Sequence, residues 1–469
     1  MKKKGINYTT AACCIALGHF ALPSCNQVKP DNQVKPNVLF ILADDLARHQ
    51  VGAYGETNFY ETPNIDRLAE NGMIFMNAYA AAPVSSPTRA SIMTGKYPAR
   101  INLTINIPNR YRRGRLNTPP FSIMLSESEI TMADILRENG YATGHFGKWH
   151  LNVNRDYYPN RPGDPESQGF DVVLHTLKPE NTDNTTGSDW HNTDLITEHS
   201  ISFIEKNKDQ PFFCYVSYNA IHRPELERDE LVNKYRAKPD ADNDELYGYN
   251  NPVQAAMLET MDNAVGRIVD HIEKLGLSEN TIIVFYSENG QLLTDKASQG
   301  FRGSKADLYE GGIRMPLIIS WNNNIKPGSV NNDLVISNDF YPTFCETAGI
   351  DDLPKNIDGV SLVPLFEDPG SKLEREAIFW HFPHYHHLGI CPQGAVRKGR
   401  YKLIENFEES LYNEPGGWEL FDLENDPRET TNLVDSLPDV TEQLRSTLQI
   451  WRRNVGAQMM TKNPYYRSQ

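Results

Sequence analysis

No run in this chain reaches the roughly 18 consecutive apolar residues that a membrane-spanning helix requires. Cysteine is scarce. Of the six, Cys13, Cys14 and Cys25 fall near the start, and Cys214, Cys345 and Cys391 are scattered through the rest. An odd, scattered set gives neither a disulfide framework nor a zinc-ligand spacing. Excess basic charge is missing too: 46 Lys and Arg face 61 Asp and Glu, for a formal charge of −15. That argues against a general nucleic-acid binder, whose affinity comes from neutralising phosphates. It leaves room for an anionic small substrate, because a pocket can be basic in an acidic protein. Solenoid repeats and low-complexity tracts are also lacking.

What is present is a globular composition, with 39% hydrophobic and 23% charged residues over a length sufficient for two domains. The first residues read as an export signal. Lys2, Lys3 and Lys4 precede a moderately apolar stretch from Ala11 to Leu22. Leu22-Pro-Ser-Cys25 follows, similar to a bacterial lipobox. The expectation is a lipoprotein signal peptide over 1–25, with lipidation at Cys25 and a location in the periplasm or on the cell surface. Contact with the membrane would be through the lipid anchor alone. Residues 26–36, with a duplicated Asn-Gln-Val-Lys-Pro phrase, read as a tether.

From Asn37 the pattern becomes that of a layered α/β domain. Asn37 to Ala43 is a continuous apolar run ending in Asp44-Asp45, as expected of a buried central strand. Phe212–Ser217, Thr281–Tyr286 and Leu317–Ser320 are similar. Between them, Thr62–Gly72, Thr131–Gly140 and Val253–Leu275 carry helical periodicity. Near residue 375 the pattern shifts to short strand-like pieces and a final helix over about 439–453. We therefore expect a catalytic domain over 37–375, with a central mixed sheet flanked by helices. A small C-terminal α+β subdomain, an antiparallel sheet plus a helix, would cover 376–469.

Ligands in such sheets gather beyond the carboxyl ends of strands. Asp44 and Asp45 end one strand, and Ser287-Glu288-Asn289-Gly290 closes another, so four oxygen-bearing side chains can meet in one site. Such a set suits a hard divalent cation. Gly147-Lys148-Trp-His150 sets a cation and an imidazole two residues apart, on one side of an extended segment. Ile221-His222-Arg-Pro224 puts a histidine at a strand exit. Arg302-Gly-Ser-Lys305 opens a basic, glycine-rich loop that runs to Arg314. Ser85-Ser-Pro87-Thr-Arg89 lies within the stretch Pro83–Gly95.

Taken in order, these segments resemble the formylglycine-dependent type I sulfatases of the alkaline phosphatase superfamily. The resemblance extends from about residue 37 to 455, through Tyr401-Lys-Leu-Ile and Glu419-Leu-Phe-Asp-Leu-Glu-Asn-Asp-Pro427. It implies an alkaline-phosphatase-like fold and a sulfuric ester hydrolase. Ser85 would be oxidised to formylglycine (3-oxoalanine), whose hydrate attacks sulfur with one hydroxyl and expels sulfate with the other. Arg89 would orient that group. His150 would act as base with Lys148 beside it, His222 would donate a proton to the leaving oxygen, and Lys305 would grip the sulfate. Asp44, Asp45, Glu288, Asn289 and the modified Ser85 would hold Ca²⁺, with Mg²⁺ the lesser choice. Two departures stand out. Glu288 occupies a position where the family usually has Asp. Serine rather than cysteine at position 85 implies a serine-type anaerobic sulfatase-maturing enzyme as partner.

For the substrate, the resemblance implies sulfated galactose- or N-acetylgalactosamine-type glycans, with exo action. His384 and His387, in the unusual Trp380–His387 run, are candidates to line a sugar pocket. Arg302, and Arg113 in the basic insert 109–115, are candidates for further anionic groups. Two other readings compete: a phosphoester or phosphonate hydrolase of the same superfamily, and a non-catalytic glycan-binding lipoprotein.

Overall fold

A central eight-stranded sheet organises the chain. In a computed structural model that describes Met1, Gly5 and residues 35–108, 114–180, 189–242, 248–293, 300–388 and 391–466, the strand order is Ser329–Asn331, Met73–Phe75, Leu317–Ser320, Thr281–Ser287, Asn37–Ala43, Phe212–Ser217, Ala142–Gly147, Val172–His175. The five strands from Thr281–Ser287 to Val172–His175 run parallel. Leu317–Ser320 is antiparallel to both of its neighbours. The expected mixed sheet is thus observed.

The apolar run Asn37–Ala43 serves both faces because side chains alternate along a strand. Val38, Phe40 and Leu42 enter one core, with residues of the helices Ser85–Thr94, Met132–Glu138 and Phe340–Thr347. Leu39, Ile41 and Ala43 enter the other, with Pro63–Glu70, Thr193–Lys206 and Pro252–Lys274. All seven strand residues are buried; each large aliphatic or aromatic side chain so buried contributes about 1.5–3 kcal/mol. Helix starts follow their sequence signals. Thr131 accepts the Asp134 amide in a capping box, and Asn251 caps Pro252–Lys274.

The C-terminal part is an antiparallel meander of Ile378–Phe382, Gln393–Lys398, Tyr401–Asn406 and Trp418–Asp422, covered by the helix Pro438–Val455. The separation expected near residue 375 is not a gap in packing. Tyr79, Val84 and Tyr97 share one core with Trp380, Leu403 and Leu448, and Lys35–Gln469 forms one compact unit. Lys35 and Pro36 belong to that unit rather than to a tether: the Lys35 ammonium donates to Asn139 O at 2.7 Å, and Tyr141 donates to Pro36 O at 2.9 Å. Cys25, most of the leader and tether, and Arg113 lie outside the described residues.

Candidate active site

Two adjacent parallel strands deliver the acids to one point. Ala43 pairs with Ser287 across the sheet, so Asp44-Asp45 and Glu288 leave adjacent strand ends together. The backbone of Asp44 is clamped on both sides: its N–H donates to Ala220 O at 3.0 Å, and its carbonyl accepts the Ile221 N–H at 2.8 Å. Asp45 has φ of 63°, a left-handed conformation that turns the chain sharply away from the strand. Gly290 allows the neighbouring loop to close in, since a Cβ there would sit 1.9 Å from Gly311 O.

Ser85 is the first residue of the buried helix Ser85–Thr94 and is itself 2% exposed. Its hydroxyl lies 3.4 Å from the Lys148 ammonium and 3.4 Å from Asn289 Oδ1. The positive end of the helix dipole favours negative charge there. Arg89 follows one turn later on the same face. Its Nε pairs with Glu288, and its Nη1 donates to Lys148 O at 2.8 Å and Ser217 Oγ at 2.5 Å.

Lys148 enters just beyond the strand Ala142–Gly147 and reaches Asp44 at 2.6 Å and Glu288 at 3.4 Å. Gly147 makes this approach possible. Its φ is 115°, and a Cβ would meet Ser217 O at 1.9 Å. The two-residue alternation expected for Lys148 and His150 is not how they are arranged: the strand ends at Gly147 and His150 is left-handed, with φ of 61°. Its Nε2–H donates to Ile107 O at 2.5 Å, which leaves Nδ1 buried with a bare lone pair. His222 Nδ1–H donates to Arg223 O at 2.6 Å, so Nε2 is the nitrogen that faces Asp45 Oδ2, 3.6 Å away. Lys305 pairs with both oxygens of Asp45, at 2.5 and 2.7 Å.

The electrostatics are those of a dense buried charge cluster. Burial pushes the Asp45 carboxyl up, but Lys305, His222 and Lys148 together hold it well below the usual carboxylate range. Burial raises the Glu288 carboxyl by more than Arg89 lowers it. Burial pulls both His150 and His222 well below the ordinary imidazole value, with help from Lys148 at His150 and from Lys305 at His222.

Ligand atoms of Asp44, Asp45 and His222 all lie within 4.8 Å of one another. Asp44 Oδ1 is buried with no hydrogen-bond partner among the described residues. Lys148 already places a cation where Asp44, Glu288 and Ser85 oxygens converge. An orphaned carboxylate oxygen within a set of hard donors fits a divalent cation such as Ca²⁺.

The remaining expected residues lie differently. His384 is fully buried: its ring makes a 2.7 Å hydrogen bond with Thr104 Oγ1 and packs edge-on against Phe121 and Phe382. It is an interior residue. His387 is exposed, its ring against that of His386. Arg302 is tied to the C-terminal part: it donates to Glu429 O at 2.9 Å and stacks on Tyr309, so its fork is engaged within the protein. Arg115 of the basic insert pairs with Glu414. The sequence reading missed Ser217, which bridges Arg89 and the Lys148 carbonyl, and Lys178, which donates to the same Arg223 carbonyl as His222. Ser217 ends a strand already identified, so its place at the site was available. Lys178 sits alone in an irregular loop with no local signal.

A hydroxyl at a buried helix start, ringed by cations and set beside an oxygen-rich cation site at the ends of parallel strands, defines a hydrolase of anionic esters. The chain belongs to the sulfatase family: the family model described as Sulfatase matches residues 36–350, and that described as N-sulphoglucosamine sulphohydrolase, C-terminal, matches residues 303–454. It is a sulfuric ester hydrolase. A sulfatase of Formosa agariphila is 28% identical over 94% of this chain and 93% of its own length. N-acetylgalactosamine-6-sulfatase of Canis lupus familiaris is 29% identical over 74% of this chain and 68% of its own. The crystal structure of Ps i-CgsB in complex with k-i-k-neocarrahexaose superposes with a TM-score of 0.72 at 28% identity, covering 89% of this chain and 92% of that one.

Proposed function

We propose that this sulfatase removes sulfate from carbohydrates of the galactose or N-acetylgalactosamine type, acting from chain ends, through a formylglycine formed at Ser85. The observation that carries the reading is the position of Ser85 Oγ, at a helix start and 3.4 Å from both Lys148 Nζ and Asn289 Oδ1. The relatives that act on N-acetylgalactosamine sulfate and bind a carrageenan oligosaccharide support the substrate class.

A plain serine could attack a sulfate ester once but could not release sulfate afterwards; the hydrated aldehyde supplies the second hydroxyl that permits release. Asp44, Asp45, Glu288 and Asn289 would hold Ca²⁺, which supplies positive charge against the sulfate oxygens. Arg89 orients the residue at position 85 from within its own helix. His150, with Nδ1 unencumbered, accepts a proton. Lys148 and Lys305 add positive charge along the sulfate. His222 presents Nε2 toward the leaving oxygen; a bound anion favours its protonation, as does Asp45. Serine at position 85 requires an anaerobic maturing enzyme of the serine type. Lys2–Cys25 supports export and lipid anchoring at Cys25.

The test is peptide mass spectrometry on protein made with such a maturing enzyme, followed by assay on sulfated galactose and N-acetylgalactosamine. Loss of two hydrogens at Ser85, with sulfate release that disappears in Ser85→Ala while the fold survives, is the expected result. An unmodified Ser85 in active protein would overturn the formylglycine reading.

A further inference from the structure

Around the sulfate site the cations nearest the acids are each committed: Lys148 to Asp44, Lys305 to Asp45, Arg89 to Glu288. Lys178 is different. Its ammonium donates to Arg223 O, the same carbonyl that receives His222 Nδ1–H. Among the described residues no carboxylate lies within ion-pairing distance of it. The chain of contacts runs Asp45, His222, Arg223 O, Lys178, which places Lys178 next to the proposed proton donor, where a group carried by the leaving alcohol could reach it. Burial first, then Lys148, pushes the ammonium down to about 8, against the pull of Asp44 and Asp45. A half-buried ammonium whose one partner among the described residues is a neutral carbonyl can take an anion.

Resting on the carbohydrate sulfatase reading above, we propose that Lys178 binds a second anionic group, a carboxylate or a further sulfate, carried by the sugar that leaves. Such a contact exists in the bound substrate and in the transition state alike, so it acts on KM more than on kcat. It would make the enzyme select an acidic glycan over a neutral one bearing the same scissile ester.

Matched aryl esters test this with the matured protein: meta- and para-carboxyphenyl sulfate, their methyl esters, and benzene para-bis-sulfate. Wild-type protein should prefer the charged esters. Lys178→Ala should lower kcat/KM for the charged esters by about tenfold, mostly through KM, and leave the methyl esters nearly unchanged. Lys178→Arg should keep the preference. A loss confined to the carboxylates, or to the bis-sulfate, identifies which anion is read. An equal fall on charged and neutral esters, or no fall on either, would overturn the inference, with melting temperature confirming that the variants fold. Wild-type matured protein that cleaves none of the esters would instead count against the proposed chemistry at Ser85, and the inference would go with it.

Discussion

Replacing Lys402 by Met removes the cation that bridges two buried carboxylates. Lys402, Glu310 and Glu429 have fully buried side chains, and the ammonium lies 2.9 Å from an oxygen of each acid. Glu310 keeps other partners, Tyr79 at 2.7 Å and Arg314 at 3.2 Å. Among the described residues Glu429 keeps the Glu310 amide alone as hydrogen-bond donor, at 2.8 Å. Removing one partner from such a buried pair costs about 3–5 kcal/mol. The cost depends on pH, because Glu429 can escape it by taking a proton. Burial already pushes this carboxyl up to about 7, against the pull of Lys402. A carboxyl raised in the folded state destabilises above its folded value, and that penalty fades as pH falls toward its unfolded value near 4.5. Without Lys402 the folded value rises further. The variant should therefore differ most from wild type well above pH 7, and the difference should shrink as pH falls toward about 7, by up to about 1.4 kcal/mol per unit. Denaturant unfolding from pH 6 to 9 measures this, and the double variant Lys402→Met/Glu429→Gln should recover part of the loss. A pH-independent difference below about 1 kcal/mol would refute the reasoning.

Two other predictions follow from the geometry. His222→Ala should reduce kcat on sugar sulfates, whose alkoxide needs a proton, by about 10²–10⁴, and much less on aryl sulfates with good leaving groups; equal loss on both classes would remove His222 from the donor role. Burial holds His49, His381 and His384 down to about 3 and His191 to about 4. Imidazoles depressed on folding stabilise fully above their unfolded value near 6.5, and that stability drains away as pH falls toward the folded values. Stability in urea should decline from pH 6.5 toward 4 with net proton uptake on unfolding, and His384→Gln should soften the slope.

Much of this was legible in the chain. Asn37–Ala43 announced itself because a strand buried on both faces must be apolar throughout, and its acids had to follow where the strand ends. Helices with a cap at one end and glycine at the other, such as Met132–Glu138, fell within a residue or two of expectation. The failures have a common cause. Lys148 and His150 were assigned to one extended segment, but Gly147 and a left-handed His150 break it, and only the approach of Ser217 explains why. His384 is expected to line a sugar pocket; its burial in the structure follows from packing against Phe121, more than 250 residues away in sequence. Lys178 has no neighbour in sequence that hints at the carbonyl it meets.

The helix that begins at Ser85 is buried along its whole length, from Ser85 to Thr94. A maturing enzyme must hold several residues around the one it oxidises, and in the folded protein none of them can be grasped. Under the proposed function, Ser85 would have to be converted while this segment is still extended, either during synthesis or before the core closes. Folding and maturation would then run in competition, and a chain that folded first would keep its unmodified Ser85. Yield of active enzyme would then be set by the relative rates of two events, and slower folding at low temperature would raise it.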